Sequence, residues 1–145
     1  QVPVAACTPH DPAPERWLVP VGLDRSYCQH VVTTGGCLRI EDARGHPLVR
    51  ESRATVEGGI GAYLGVPVRA PDALGPGLAG QVLGSVCAVD FAPRRWSADD
   101  VALLEDLAAT ISAELGLRVE AAATAAREVA TVARGALRRA SAALA

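Results

Sequence analysis

The chain of 145 residues has no Lys, no Met and no Asn, and only two Trp, two Tyr and one Phe. With so few aromatics, the core falls to Val, Leu, Ile and 28 Ala, and is aliphatic and light. All 14 cationic side chains are Arg, a bias that fits codon usage in a GC-rich bacterial genome. With no Met, and with a Gln1 too large for routine removal of an initiator Met, the chain is expected to be a domain cut from a longer protein. Long apolar runs are also missing. The longest uncharged stretch, Ala73 to Val89, is broken by four Gly, Pro76 and Gln81, which excludes a spanning helix there. No signal peptide is visible. Cys7, Cys28, Cys37 and Cys87 include no C-x-x-C pair, so neither a zinc ligand set nor a disulfide framework is indicated, and reduced thiols in a cytoplasmic setting are expected. The net charge of −2 offers no long-range attraction for nucleic acid, and neither nucleic acid nor membrane is expected as a direct partner.

What is present is a globular composition, 50% hydrophobic and 21% charged, with 14 Gly and 10 Pro. One core in a domain of this size buries roughly two-thirds of the unfolded surface, so no covalent or metal staple is required. The charge is uneven: residues 1–117 carry 9 Arg against 14 acids, and residues 118–145 carry 5 Arg against 2 acids. A body, 1–117, and a helical extension, 118–145, follow from that break.

Within the body, Val2 to Cys7 and Glu15 to Val21 read as short strands around a proline-rich loop. Arg25 to Thr34 reads as a short helix, opened by the capping type Ser26 and closed by Gly35-Gly36. Cys37 to Glu41 alternates as a strand, and 42–59 is polar and broken by Pro47, giving loops and short helical turns. Ile60 to Val68 and Gln81 to Phe91 are the clearest strands, and the Gly/Pro-rich 70–80 between them makes them antiparallel neighbours. Ser97-Ala-Asp-Asp100 has the form of a capping box and starts a helix whose Leu104, Leu107, Ile111 and Leu115 are expected to face a sheet. Beyond Gly116, Val119, Ala122, Ala126, Val129, Ala133, Ala136, Ala140 and Ala143 follow a 4-3 spacing, the seam of a coiled coil. An Ala-rich seam buries little area, so the expected helical pair is a weak one.

These elements make a layered α/β domain on an antiparallel sheet. Five ordered words carry the chain further: Ser26-Tyr-Cys-Gln-His-Val-Val32, Glu41-Asp-Ala-Arg-Gly-His-Pro-Leu-Val49, Ala62-Tyr-Leu-Gly-Val-Pro-Val68, Leu83-Gly-Ser-Val-Cys-Ala-Val-Asp90 and Pro93-Arg-Arg-Trp-Ser97. In order and spacing they resemble a GAF domain over roughly residues 2–117. The resemblance implies an α+β fold with a six-stranded antiparallel sheet flanked by helices, a long C-terminal helix and a small-molecule pocket in front. It also implies a sensory module of a bacterial signal-transduction protein, forming a homodimer through its terminal helix and acting on a downstream output domain such as a phosphatase, kinase or DNA-binding unit. The helix that usually precedes the first strand in the family is missing from this sequence.

The residues weighed for ligand binding are Tyr63, Cys28, His30, Asp42, His46, Cys87 and Asp90. Tyr63, inside Gly61-Ala-Tyr-Leu-Gly65, is the foremost of them. Cys28, near the start of a short helix, has the setting of a depressed-pKa thiol, whereas Cys87 among Val86, Ala88 and Val89 also suits a small core hydrophobe. His30 is two residues from Cys28, about 200° around a helix, so it does not face that thiol. Asp42 and Asp90 each follow a strand, where a carboxylate also caps the next turn, and His46 sits in a loop. Gly58-Gly-Ile-Gly61 leads into a strand without Lys or Ser/Thr, and so reads as a turn, not a phosphate loop. No cofactor is indicated: the Asn and Lys of the cyclic-nucleotide signature and the Asp-Ile-Pro turn of bilin carriers are both absent, and neither His30 nor His46 is marked out for haem. Some GAF relatives reduce free methionine sulfoxide with several cysteines, but the segments bearing them are not recognisable here. Enzymatic activity is therefore not expected. A ligand-free dimerisation scaffold and a cysteine-based redox sensor or small reductase remain the alternatives.

Overall fold

The structure, a computed structural model, describes residues 26–143. Within them the order is α1 (Cys28–Thr34), β1 (Leu38–Ile40), α2 (Arg53–Val56), β2 (Ala62–Arg69), a 3₁₀ turn (Asp72–Leu74), β3 (Val82–Asp90) and α3 (Ala98–Ala143). The three strands form one antiparallel sheet in the order β1-β2-β3. The sheet thus has three strands among the described residues, not the six that the resemblance implies. The segments Val2 to Cys7 and Glu15 to Val21 lie outside those residues, and the polar 42–59, broken by Pro47, supplies turns and α2 in place of a strand.

Alternation along β2 divides the body into two cores. Ala62, Leu64, Val66 and Val68 point to the back, where they pack with Trp96, Leu104 and Ala108 and with the flanks of Val86, Ala88, Val101 and Leu115. Tyr63 points to the front, into a second cluster with Tyr27, Val31, Ile40, Ala43, Val49, Ala54 and Ile60. α1 lies across the front of β2 and β3. It stops at Gly35, whose φ of 68° is the left-handed conformation a glycine adopts without penalty, and whose N–H bonds to the Val31 carbonyl at 2.8 Å.

The 42–59 segment is tied to α1 through Thr55, a buried polar residue. Its hydroxyl bonds to the Val49 carbonyl and the Tyr27 hydroxyl, so no unpaired polar atom offsets the apolar burial around it.

At the start of α3, the Asp100 N–H donates to Ser97 Oγ at 3.0 Å and the Ser97 N–H donates to Asp100 Oδ2 at 2.8 Å, the reciprocal capping box read from the sequence. The face that α3 turns to the sheet is rotated from the expected one. Leu104 is 8% and Ala108 5% exposed, while Leu107 and Ile111 are 46% and 40% exposed. The small Ala108 lets the helix sit close to β2, and Ser112 Oγ donates to the Arg69 carbonyl at 2.6 Å on the far flank. The centre of the buried stripe therefore falls between Leu104 and Ala108. Gly116 is buried against Pro71, where an added Cβ would come within 3.3 Å of the proline ring. Beyond it α3 continues to Ala143 with mostly exposed side chains.

Candidate functional site

The register of β2 and β3 sets opposite one another Gly65 and Cys87, Pro67 and Ser85, and Tyr63 and Val89. With a period of two, Ser85 and Cys87 share the front face with Tyr63. α1 delivers Cys28 to the same place. The Cys28 and Cys87 sulfurs are 3.9 Å apart, and the Tyr63 hydroxyl donates to Cys28 Sγ at 3.5 Å. Gly65 makes this possible, because a Cβ there would overlap the Tyr63 hydroxyl. The ring of Tyr63 is held edge-on by Tyr27, with centroids 5.2 Å apart.

The two thiols are free but not equivalent. The hydrogen bond from Cys87 holds the Cys28 thiol down at about 5, against the opposing effect of burial and with smaller help from Ser26, Ser85 and Tyr63. Cys87 is pushed well above its ordinary value, first by that same hydrogen bond, then by loss of hydration and by the charge on Cys28. The residue surface of Cys87 is open to solvent, yet the protein atoms around its sulfur still strip water from a thiolate. Tyr63 is pushed upward, first by burial and then by the charge of the neighbouring thiols, so it remains a donor. Cys28 is thus the thiolate of the pair and Cys87 its protonated partner. Cys37 is exposed, and burial of its sulfur together with Glu105 raises its thiol.

Of the residues weighed from the sequence, Cys28, Tyr63 and Cys87 are brought together. Asp42 Oδ1 accepts the Arg44 N–H at 3.1 Å, and Asp90 Oδ1 accepts the Ala92 N–H at 3.1 Å, the capping role considered for both. His46 Nδ1 accepts the Leu48 N–H at 3.3 Å within its own loop. None of the hydrogen bonds to Cys28 among the described residues comes from His30.

Ser85 is the member that sequence reading missed. Its hydroxyl is buried within reach of Cys28 and Tyr63, without the geometry of a full hydrogen bond to either. Its position two residues before Cys87 on an alternating strand was the available signal. An open groove of about 370 Å³ between β2 and α3, lined by Arg69, Glu105 and Ser112 among others, does not include the thiol cluster. No group of three or more His, Cys, Asp or Glu able to hold a metal ion occurs among the described residues, nor any helix long and apolar enough to cross a membrane.

An antiparallel sheet with α1 in front and a long closing helix behind is an α+β architecture. The family model of the GAF domain matches residues 4–115, and the chain belongs to that family. Among solved structures it is similar to the GAF domain from Acinetobacter phosphoenolpyruvate-protein phosphotransferase, at 18% identity and TM-score 0.50, with 74% of this chain and 57% of that chain covered. It is also similar to free methionine-R-sulfoxide reductase from Neisseria meningitidis in complex with its substrate, at 17% identity and TM-score 0.51, with 71% and 53% covered. The chain spans about half the length of the solved structures it matches. At these identities the likeness is one of fold. No curated protein matches the chain.

Proposed function

We infer that the chain is a sensory, regulatory GAF module that binds a small molecule on the front of its sheet and relays the bound state through α3 to an output module such as a phosphatase, kinase or DNA-binding domain. The observation that carries this reading is the double duty of β2. Tyr63 belongs to the front site, and Leu64 and Val66, its next residues on the other face, pack in the core beneath α3. A shift of the front side chains is therefore one strand away from the helix. The Tyr63 and Ser85 hydroxyls and the two thiols are a few convergent polar groups on an otherwise apolar face, the pattern by which a pocket orients a ligand. Relay requires the ligand to bind two arrangements of α3 unequally, with a coupling typically of about 1–3 kcal/mol.

Native and denaturing mass spectra of the freshly purified chain test the reading. The expected result is a discrete extra mass that is lost on denaturation and is diminished in the Tyr63→Phe variant. A chain that is always a dimer at its apo mass would favour a ligand-free scaffold instead. A second reading, thiol chemistry, is favoured by the 3.9 Å approach of two sulfurs from segments 59 residues apart.

A further inference from the structure

We propose that Cys28 and Cys87 are a redox-active dithiol, in which a peroxide oxidises Cys28 and Cys87 resolves it to a disulfide joining α1 to β3. The sulfurs are already in contact at 3.9 Å, one from each element, and a bond length of about 2.05 Å is reached by a closure of roughly 2 Å. A Cβ at Gly65, the residue paired with Cys87, would displace the Tyr63 hydroxyl that donates to Cys28 Sγ, so the glycine keeps the donor in place beside the two sulfurs. The roles are assigned by surroundings. Cys28 is half-buried and accepts the Tyr63 hydroxyl, with the Ser85 hydroxyl also acting on it, while Cys87 is exposed.

In the first step the Cys28 thiolate attacks one peroxide oxygen. The S–O bond forms as the O–O bond breaks, hydroxide leaves and takes a proton from solvent as water, and Cys28 becomes a sulfenic acid. In the second step the Cys87 sulfur attacks Cys28 Sγ. The S–S bond forms, the S–O bond breaks, and hydroxide departs with the Cys87 proton as a second water. Two thiols and one hydrogen peroxide thus give one disulfide and two waters. A dithiol reductant returns the pair to its starting state by exchange. The site needs no resident ligand, so its failure would leave the relay reading standing, and failure of the relay would leave the dithiol standing.

Stepwise addition of hydrogen peroxide to the full chain under anaerobic conditions, followed by intact-mass and peptide analysis, tests the proposal. The expected product is a monomer lighter by two hydrogens with a Cys28–Cys87 crosslinked peptide, formed equally in Cys37→Ser and absent in Cys28→Ser and Cys87→Ser. In Cys87→Ser, a dimedone adduct should accumulate on Cys28. A rate measurement on the unmutated chain covers the case in which a variant does not fold: iodoacetamide should modify Cys28 about tenfold or more faster than Cys37 at neutral pH. A crosslink that runs to Cys37 or between chains, or a Cys28 that reacts no faster than Cys37, would overturn the proposal.

Discussion

At the scale of single residues, Tyr63 belongs to both core and site. It is 2% exposed, so Tyr63→Ala would open a cavity costing about 3–5 kcal/mol and would report on folding more than on the site. Tyr63→Phe is the informative replacement, because it keeps the ring against Tyr27 and removes only the donor to Cys28. In iodoacetamide kinetics followed against pH, the rate at Cys28 should level off above about pH 6 while that at Cys37 climbs past pH 9. Cys87→Ala, which deletes the main hydrogen bond to the thiolate, should raise the half-maximal pH at Cys28, and Tyr63→Phe should raise it by less.

The same shift bears on stability. Between about 5 and the ordinary 9.0, the unfolded chain holds a proton on Cys28 that the folded chain has released, so stability rises with pH across that window. It is lost as pH falls through about 5, and the opposite shift of Cys87 withdraws it again above 9. The urea midpoint of the unmutated chain should therefore rise relative to Cys28→Ser between pH 5 and 9. Neither cysteine could be paired from sequence, since 59 residues separate them and their meeting depends on which face of β3 pairs with Gly65. Cys28 alone was legible as an activated thiol. The charged caps at Asp42 and Asp90 were legible too, because a carboxylate just after a strand finds its N–H partners locally.

At the scale of elements, local signals were read well and faces less well. The C-terminal end of α1, the start of α3, the β2–β3 hairpin and the turns of 42–59 follow from capping residues, glycines and alternation, which act within a few positions, whereas α1 begins at Cys28 behind Tyr27, which makes no side-chain cap bond, and not at Arg25. The capping box of α3 should be worth about 1 kcal/mol, so Ser97→Ala should lower the urea midpoint without altering the Cys28 alkylation profile. Which face of α3 meets the sheet was not legible to better than one residue. Leu107 and Ile111 are as apolar as Leu104, and only the close approach permitted by Ala108 decides between them. The strip left exposed, Leu103, Leu107 and Ile111, runs along the first turns of the helix.

At the scale of the whole molecule, we propose a division of the chain near residue 117. Gly116 is the last buried position of α3 among the described residues, and the Leu117, Val129, Val132 and Leu137 that follow are each 63–70% exposed. A helix so exposed gains little from the body, and pairing with a second copy along the Val119 to Ala136 seam is the association we propose for it. Sedimentation should show the full chain as a weak, concentration-dependent dimer and residues 1–117 as a monomer. A truncated chain that still dimerises would move the contact to the strip of Leu103, Leu107 and Ile111.

The continuity of α3 also makes it a lever. Its 46 residues extend about 69 Å at 1.5 Å per residue, and the part beyond Gly116 accounts for about 40 Å of that length. With its fulcrum where Ala108 rests on β2 and Gly116 on Pro71, a tilt of only about 5° swings the far end through roughly 4 Å. In the relay we propose, a rearrangement at the sheet no larger than the closing of two sulfurs would be magnified to the width of a side chain at the other end.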